Sequence, residues 1–147
     1  MKEFSLEFEV RWADMDANRH MRHSAYYDYA AHLRVKLLKA INLDLATMAE
    51  LNFGPVLFRE ETIFLREIGL GETISVDVQL QKARRDGSRW TFVHEFKKDN
   101  GKVAAKLTVD GAWLDLQKRK LTALPEQFHQ DLFEIPQTAD FCFTDKD

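Results

Sequence analysis

One long segment of this chain has the hydrophobic periodicity of a helix, whereas most other segments have the alternation of β-strands. This contrast is the sequence feature that most constrains the fold. Apolar residues recur at intervals of three and four over residues 24–41, which predicts one face of an amphipathic helix. Residues 4–12 instead alternate apolar and polar side chains, as a half-buried strand does. We therefore expect an α+β fold in which a long helix follows an N-terminal strand.

The rest of the chain predicts one short helix and four further strands. The short helix is expected over residues 44–51 with Asp44 as its N-cap. The strands, separated by glycine-containing turns, are expected over residues 56–68, 74–80, 90–96 and 103–113. A five-stranded antiparallel sheet wrapped around one long central helix would bury the apolar face of that helix. The other face of the sheet and its edges would need partners, so we expect a homodimer or homotetramer.

Length and composition limit the class of protein. The 147 residues suit one domain over 1–147, with a core over about 4–118 and an irregular tail over 119–147. A net charge of −3 argues against a nucleic-acid partner. No segment approaches the roughly 20 apolar residues of a membrane span, and no signal-peptide pattern is present, so we expect a cytoplasmic protein without a membrane partner. Cys142, the single cysteine, has no histidine nearby in sequence and is a poor candidate nucleophile.

Two carboxylates stand in the polar loop between the first strand and the long helix. Asp14 and Asp16 lie two residues apart, shortly before the helix begins. The first backbone N–H groups of a helix have no intrahelical acceptor and can hold an oxyanion. A carboxylate beside them could attack a carbonyl carbon or activate water. Aspartates before a helix are also common caps and turn formers, so both roles remain open from spacing alone.

Histidines near this loop raise the question of a metal site. His20 and His23 are not accompanied by a further cysteine, histidine or carboxylate that completes a ligand set, so we expect no metal and no other cofactor. His32 and His94 fall within predicted helix and strand. We expect these two to be surface or half-buried residues with satisfied hydrogen bonds rather than ligands.

The spacing of the loop residues resembles a known family. The chain reads W-x-D-x-D-x-x-x-H-x-x-x-x-x-Y into the long helix, which resembles the 4-hydroxybenzoyl-CoA thioesterase-like branch of the hotdog superfamily. Asp14 and Asp16 match the D-x-D of that family. His20 matches its histidine, and Tyr26 matches the aromatic residue on its helix. By this resemblance Asp14, His20 and Tyr26 are expected to position the loop and the substrate.

The resemblance spans about residues 4–118 and includes Arg34 as a recurrent helix arginine. It implies a hotdog fold and hydrolysis of an acyl thioester, carried by CoA or by acyl carrier protein, to a free carboxylic acid. It further implies that Asp16 acts as nucleophile or general base. The backbone N–H groups of His23 and Ser24 would then form the oxyanion hole.

Three positions depart from the family pattern. Arg19 replaces the usual glycine, and Arg22 and His23 replace a usual pair of asparagines. Glycine often supplies a positive φ at such a turn, so we expect a loop of different shape. These departures keep open a non-catalytic protein that binds acyl-CoA or lipid. A hotdog hydratase or dehydratase is not indicated, because its histidine–aspartate motif is not found.

Further residues are candidates for supporting roles. Glu60 and Glu61 are adjacent on a strand, so at most one faces a pocket; we favour Glu61 for positioning water, with an exposed strand charge as the alternative. The phosphates of CoA require cations. The candidate cations are Arg59, Arg66, Lys82, Arg84 and Arg85. The aromatic residues that could line an acyl tunnel or belong to the core are Tyr26, Phe53, Phe58 and Phe64.

Overall fold

A computed structural model describes residues 3–145, which form one eight-stranded sheet and three α-helices. The strands are β1 (Ser5–Glu9), β2 (Phe53–Phe64), β3 (Thr73–Asp77), β4 (Gln79–Ala83), β5 (Arg89–Lys97), β6 (Val103–Asp115), β7 (Lys120–Thr122) and β8 (Gln137–Phe143). The helices are α1 (His23–Ala40), α2 (Leu45–Leu51) and α3 (His129–Phe133). The α+β class expected from the sequence is confirmed. None of these helices is long and apolar enough to cross a membrane.

The long helix α1 packs its apolar face against the sheet. The side chains that recur at helical spacing are buried; they are Ala25, Tyr26, Ala30, Leu33 and Leu37. The ring of Tyr26 meets Phe96 of β5 edge-on, with 5.1 Å between ring centroids. The short helix α2 starts where its cap predicts, since Asp44 Oδ1 accepts a hydrogen bond from the Thr47 N–H at 2.8 Å. Both helices are therefore fixed by local sequence patterns.

The centre of the sheet is β5, which pairs antiparallel with β6 on one side and with β3 and β4 on the other. Beyond these, β1 pairs with β3, β2 pairs with β6, and β7 forms a hairpin with the end of β6. Strand β8 lies parallel to β4. Within the described chain β2 pairs with β6 alone, so its other edge is open.

The expectation of five strands is corrected to eight. The strand predicted over residues 74–80 is divided at Val78, because its two halves have different neighbours: the Val78 N–H donates to the Phe4 carbonyl at 3.2 Å, and the Leu80 N–H donates to the Pro136 carbonyl at 2.8 Å. The tail expected to be irregular contributes β7, α3 and β8. Its buried side chains are Leu124, Phe128, Leu132 and Ile135.

Gly111 of β6 gives a direct test of how tightly the sheet packs. A Cβ at this position would lie 2.3 Å from the Trp90 ring and 2.6 Å from the Val56 carbonyl oxygen, and the backbone cannot yield cheaply. We expect Gly111→Ala to lower the free energy of unfolding by about 1–3 kcal/mol, measured by urea denaturation. Gly54→Ala in β2 is the matched control, since its Cβ would meet nothing within 4 Å. Equal effects of the two substitutions would contradict this packing.

Candidate active site

Asp14 anchors the loop that precedes α1. Its side chain is 1% exposed and accepts hydrogen bonds from the Arg11 backbone N–H at 2.9 Å, from the Arg11 guanidinium at 2.8 Å and from the Tyr29 hydroxyl. Burial alone would raise the pKa of Asp14, but the hydrogen bonds from Arg11 and Tyr29 lower this pKa to about 2. The Asp14 carbonyl also accepts from the Arg22 N–H at 2.7 Å. One residue thus joins the end of the first strand to the start of the helix.

Asp16 lies two residues further, in a tight turn. Its Oδ1 accepts from the Asn18 N–H at 2.9 Å, and its Oδ2 lies 3.0 Å from Nδ1 of His20. The Asp16 N–H in turn donates to the His20 carbonyl at 3.0 Å. Arg19 takes a φ of 67°, the left-handed conformation that glycine adopts more easily. The arginine therefore does not prevent the turn, and Asp16 keeps a defined orientation.

The start of α1 leaves two backbone donors free. Arg22 precedes the helix, and its guanidinium donates to the Ala13 carbonyl at 3.2 Å and to the Ser24 hydroxyl at 2.6 Å. The Ala25 N–H bonds to the Arg22 carbonyl at 3.0 Å. No residue in the described range accepts a hydrogen bond from the N–H groups of His23 and Ser24. These are the orphan donors expected at a helix N-terminus.

A cavity of about 360 Å³ lies between this loop, the start of α1 and the segment after β2. Its volume falls in the roughly 300–1,000 Å³ range of small-molecule sites. The lining residues are Asp16, His20, Met21, His23, Tyr26, Phe64, Leu65, Arg66, Glu67 and Ile68. The structure therefore brings together in one concave site five residues that the sequence placed on a loop, a helix and a later segment: Asp16, His20, His23, Tyr26 and Arg66.

Tyr26 supplies a protonated hydroxyl to this cavity. Its side chain is 3% exposed, and burial together with the nearby charges of Glu72 and Asp16 raises the pKa of Tyr26 to about 12. The phenol therefore remains neutral at physiological pH and can donate a hydrogen bond. The ring packs edge-on against Phe64, with 5.1 Å between centroids, and both aromatic side chains line the cavity together with Asp16.

The two adjacent glutamates contact different partners, as alternation along a strand predicts. Glu60 is the one turned toward α1, with its Oε1 3.7 Å from Nη2 of Arg34. Glu61 is exposed, pairs with Arg59 at 3.3 Å and is absent from the lining of the Asp16 cavity. The strand alternation was correctly anticipated, whereas the face that each residue occupies depends on how β2 lies against α1.

The candidate cations do not form one cluster. Arg66 lines the Asp16 cavity. Arg59, Lys82 and Arg84 instead line a second cavity of about 620 Å³, which is bounded by residues of β2, β4, β5 and β6. Arg85 bonds the backbone and side chain of Asp145. Among the candidate aromatics, Tyr26 and Phe64 line the Asp16 cavity and Phe58 lines the second one. Phe53 is core, with its ring against Trp113.

The sequence did not predict the buried contact between His94 and Arg34. His94 was expected at the surface or half-buried, but it is fully buried. Its Nε2 lies 2.9 Å from Nη1 of Arg34, and its Nδ1 lies 2.8 Å from the Asp77 carbonyl oxygen. Burial and the Arg34 charge lower the pKa of His94 to about 3, so the ring is neutral, with Nδ1–H as donor and Nε2 as acceptor. The alternation of Trp90, Phe92 and His94 along one strand was the available signal for an inward histidine.

The family model described as the thioesterase-like superfamily matches residues 10–132, which include the loop, α1 and strands β2 to β7. No curated protein matches the sequence.

Solved structures share the fold at low sequence identity. The hypothetical protein SAV2348 from Staphylococcus aureus, in complex with CoA, is 20% identical over 93% of this chain and 87% of its own, with a TM-score of 0.86. Slr0204, a 1,4-dihydroxy-2-naphthoyl-CoA thioesterase from Synechocystis, is 17% identical over 90% of this chain and 96% of its own, with a TM-score of 0.79. A DHNA-CoA thioesterase from Staphylococcus aureus is 16% identical over 90% and 89% of the two chains, with a TM-score of 0.81.

The buried carboxylate of Asp14 makes a pH-dependent contribution to stability. Its folded pKa lies below the ordinary value of 3.8, so the ionised form stabilises the fold above about pH 4, and this contribution is lost as the pH falls through 2. We expect Asp14→Asn to lower the free energy of unfolding by roughly 2 kcal/mol at pH 7. The difference from wild type should shrink as the pH is lowered toward 2, measured by urea denaturation at each pH.

Asp99→Asn is the control for this series, because Asp99 is an exposed carboxylate in a hairpin turn. It should change stability by no more than about 0.5 kcal/mol at any pH. A loss in Asp14→Asn that stays constant down to pH 2 would argue against an ionised anchor.

Proposed function

Since the chain belongs to the thioesterase-like superfamily, we propose that it hydrolyses an acyl thioester of CoA to a free carboxylic acid and CoA. The observation that carries this proposal is the cavity that the Asp16 carboxylate shares with His23 at the start of α1. The backbone N–H groups of His23 and Ser24 have no acceptor among the described residues. The similar structures named as CoA thioesterases, and the one in complex with CoA, support the carrier.

The proposed chemistry is attack of water on the thioester carbonyl, with Asp16 as general base. Oδ1 of Asp16 accepts hydrogen bonds from the backbone N–H groups of Asn18 and His20, and Oδ2 lies 3.0 Å from Nδ1 of His20, so the turn fixes the carboxylate in place. We propose that the fixed carboxylate takes a proton from water rather than attacking the carbonyl carbon itself. Water adds to the carbonyl carbon as its proton passes to Asp16. The resulting oxyanion is held by the N–H groups of His23 and Ser24. Collapse breaks the C–S bond, and the proton held by Asp16 passes to the leaving thiolate.

The other lining residues are proposed to position the substrate. Tyr26 donates from its neutral hydroxyl, His20 holds one oxygen of Asp16, and Asp14 fixes the loop from outside the cavity. Arg66 is the cation of this cavity and is proposed to contact the phosphate-bearing arm of CoA. The second cavity, with Arg59, Lys82 and Arg84, is proposed to receive further phosphates.

A homodimer through β2 is part of the proposal. This strand has twelve residues, several exposed apolar side chains and one edge that no strand of the described chain pairs with. The exposed apolar residues are Leu57, Phe58, Ile63 and Phe64. An exposed edge of this kind readily pairs with another strand, so a second β2 would continue the sheet. The single domain is proposed to have β1, the divided β3–β4 strand, β5, β6 and β2 as its hotdog core around α1.

Asp16→Asn tests the catalytic assignment. The substitution keeps the size of the side chain and removes the base, so we expect kcat to fall at least about 100-fold with little change in thermal stability. Release of free thiol from acyl-CoA substrates of several chain lengths measures the rate. Asp99→Asn is the matched control, since Asp99 is an exposed carboxylate in a hairpin turn and is not among the residues that line the Asp16 cavity.

The outcomes of this experiment separate the two hypotheses. Full activity of Asp16→Asn would show that another group acts as the base. A wild-type protein that binds acyl-CoA without hydrolysing any of the tested thioesters would instead be the non-catalytic binder that the loop substitutions left open.

Arg66→Met tests the contact to the carrier. We expect KM for an acyl-CoA to rise about tenfold with kcat nearly unchanged, because a charge-assisted hydrogen bond contributes roughly 1.5–3 kcal/mol. The matching acyl-pantetheine, which has the same thioester without phosphates, should show no such change. An equal rise of KM for both substrates would place Arg66 against the acyl group instead.

A further inference from the structure

A third cavity, of about 180 Å³, lies between α1 and the sheet. Its lining residues are Ala31, Arg34, Val35, Leu37, Leu38, Pro55, Leu57, Trp90, Phe92 and Trp113. In the single chain Val35 and Leu57 are 47% and 41% exposed, so the cavity opens along these two side chains; Leu57 belongs to β2, the strand proposed to pair with a second copy. An apolar cavity of about 150 Å³ is large enough to bind benzene. This cavity therefore has room for one six-membered ring with a small substituent.

Arg34 is the one charged side chain among the described residues that line the cavity, and its charge is poorly compensated. It is 9% exposed, its Nη1 bonds the neutral His94, and the nearest carboxylate is Glu60 at 3.7 Å from Nη2. A guanidinium has five N–H donors and stays protonated in proteins. A buried charge is costly unless it is paired and hydrogen-bonded. The cavity thus contains a cation that a small anion would satisfy.

Trp90 and two further aromatic residues also line this cavity. Trp90 is 4% exposed, and its indole N–H has no acceptor within residues 3–145. The rings of Trp90, Phe92 and Trp113 give the cavity aromatic surfaces, which favour an aromatic ligand through offset or edge-to-face packing.

We propose that this cavity is a second ligand site, which binds a compact aromatic carboxylate with its carboxylate on Arg34 and its ring against Trp90, Phe92 and Trp113. In this proposal the carboxylate oxygens accept from the Arg34 guanidinium, and the ring of the ligand packs on the aromatic side chains of the cavity. The pairing of a planar guanidinium with a carboxylate is the geometry that arginine favours.

The site is separate from the Asp16 cavity. Arg34 lies ten residues after Ser24 on α1, so the rise of about 1.5 Å per residue separates them by roughly 15 Å along the helix. Within residues 3–145, none lines both cavities. A ring-sized acid held at Arg34 therefore does not reach Asp16, and binding there is independent of hydrolysis.

Calorimetric titration with benzoate tests the site. Wild type should bind benzoate saturably, and benzamide, which has the same ring without the charge, should bind at least about tenfold more weakly. Arg34→Met should weaken benzoate binding at least about tenfold. Ala31→Leu should do the same by filling the cavity while leaving Arg34 in place. Lys36→Met, which removes an exposed cation from the same helix, is the matched control and should bind as wild type does.

Asp16→Asn separates this proposal from the proposed hydrolysis. It should bind benzoate with wild-type affinity, whether or not the protein proves to be a thioesterase. Loss of benzoate binding in Asp16→Asn would mean that the acid enters the Asp16 cavity as a product does, and would overturn the second site. Absence of saturable binding to wild type, or equal binding by Arg34→Met and Lys36→Met, would overturn it as well.

Discussion

The ionised carboxylate of Asp14, buried between the end of β1 and α1, is the contact on which the geometry of the candidate site depends. It receives donors from Arg11 on one side and from Tyr29 on the other, and its own carbonyl receives the Arg22 N–H. A charge can occupy this position because its oxygens are fully hydrogen-bonded. Since these contacts reach both the strand end and the helix, the loop between them has fixed ends. The position of Asp16 beside the first turn of α1 therefore depends on Asp14, which fixes both ends of the loop.

The charge of Arg34 is also buried, but its neighbours compensate it less well than those of Asp14 do. Asp14 is satisfied by charged and neutral donors at hydrogen-bonding distance, and its low pKa follows from them. Arg34 has a neutral histidine at 2.9 Å and a carboxylate only at 3.7 Å, while burial lowers its pKa. A fully compensated charge stabilises a fold, whereas an undercompensated one beside a cavity is suited to a ligand. This contrast distinguishes an anchoring residue from a candidate binding residue.

Local sequence patterns predicted most of the regular structure. The boundaries of α1 lie within one residue of the predicted range, and Asp44 caps α2 as expected. Strands β5 and β6 begin and end within two residues of their predicted positions. The prediction failed where the partner of a strand comes from far along the chain. Val78 divides one predicted strand because β1 lies beside one half and β8 beside the other, and neither neighbour leaves a signal at residue 78.

By itself, the sequence determined the chemistry available and the elements that carry it: two aspartates before a long helix, a tyrosine on that helix and alternating strands after it. These features depend on interactions within a few residues, such as helical periodicity, capping and turn formation. Tertiary structure decided that Arg66 lines the Asp16 cavity while Arg59 does not, that Glu60 rather than Glu61 faces α1, and that Arg34 meets a buried histidine 60 residues away. Such pairings depend on strand register and on how the helix lies across the sheet, which residue-by-residue patterns do not encode.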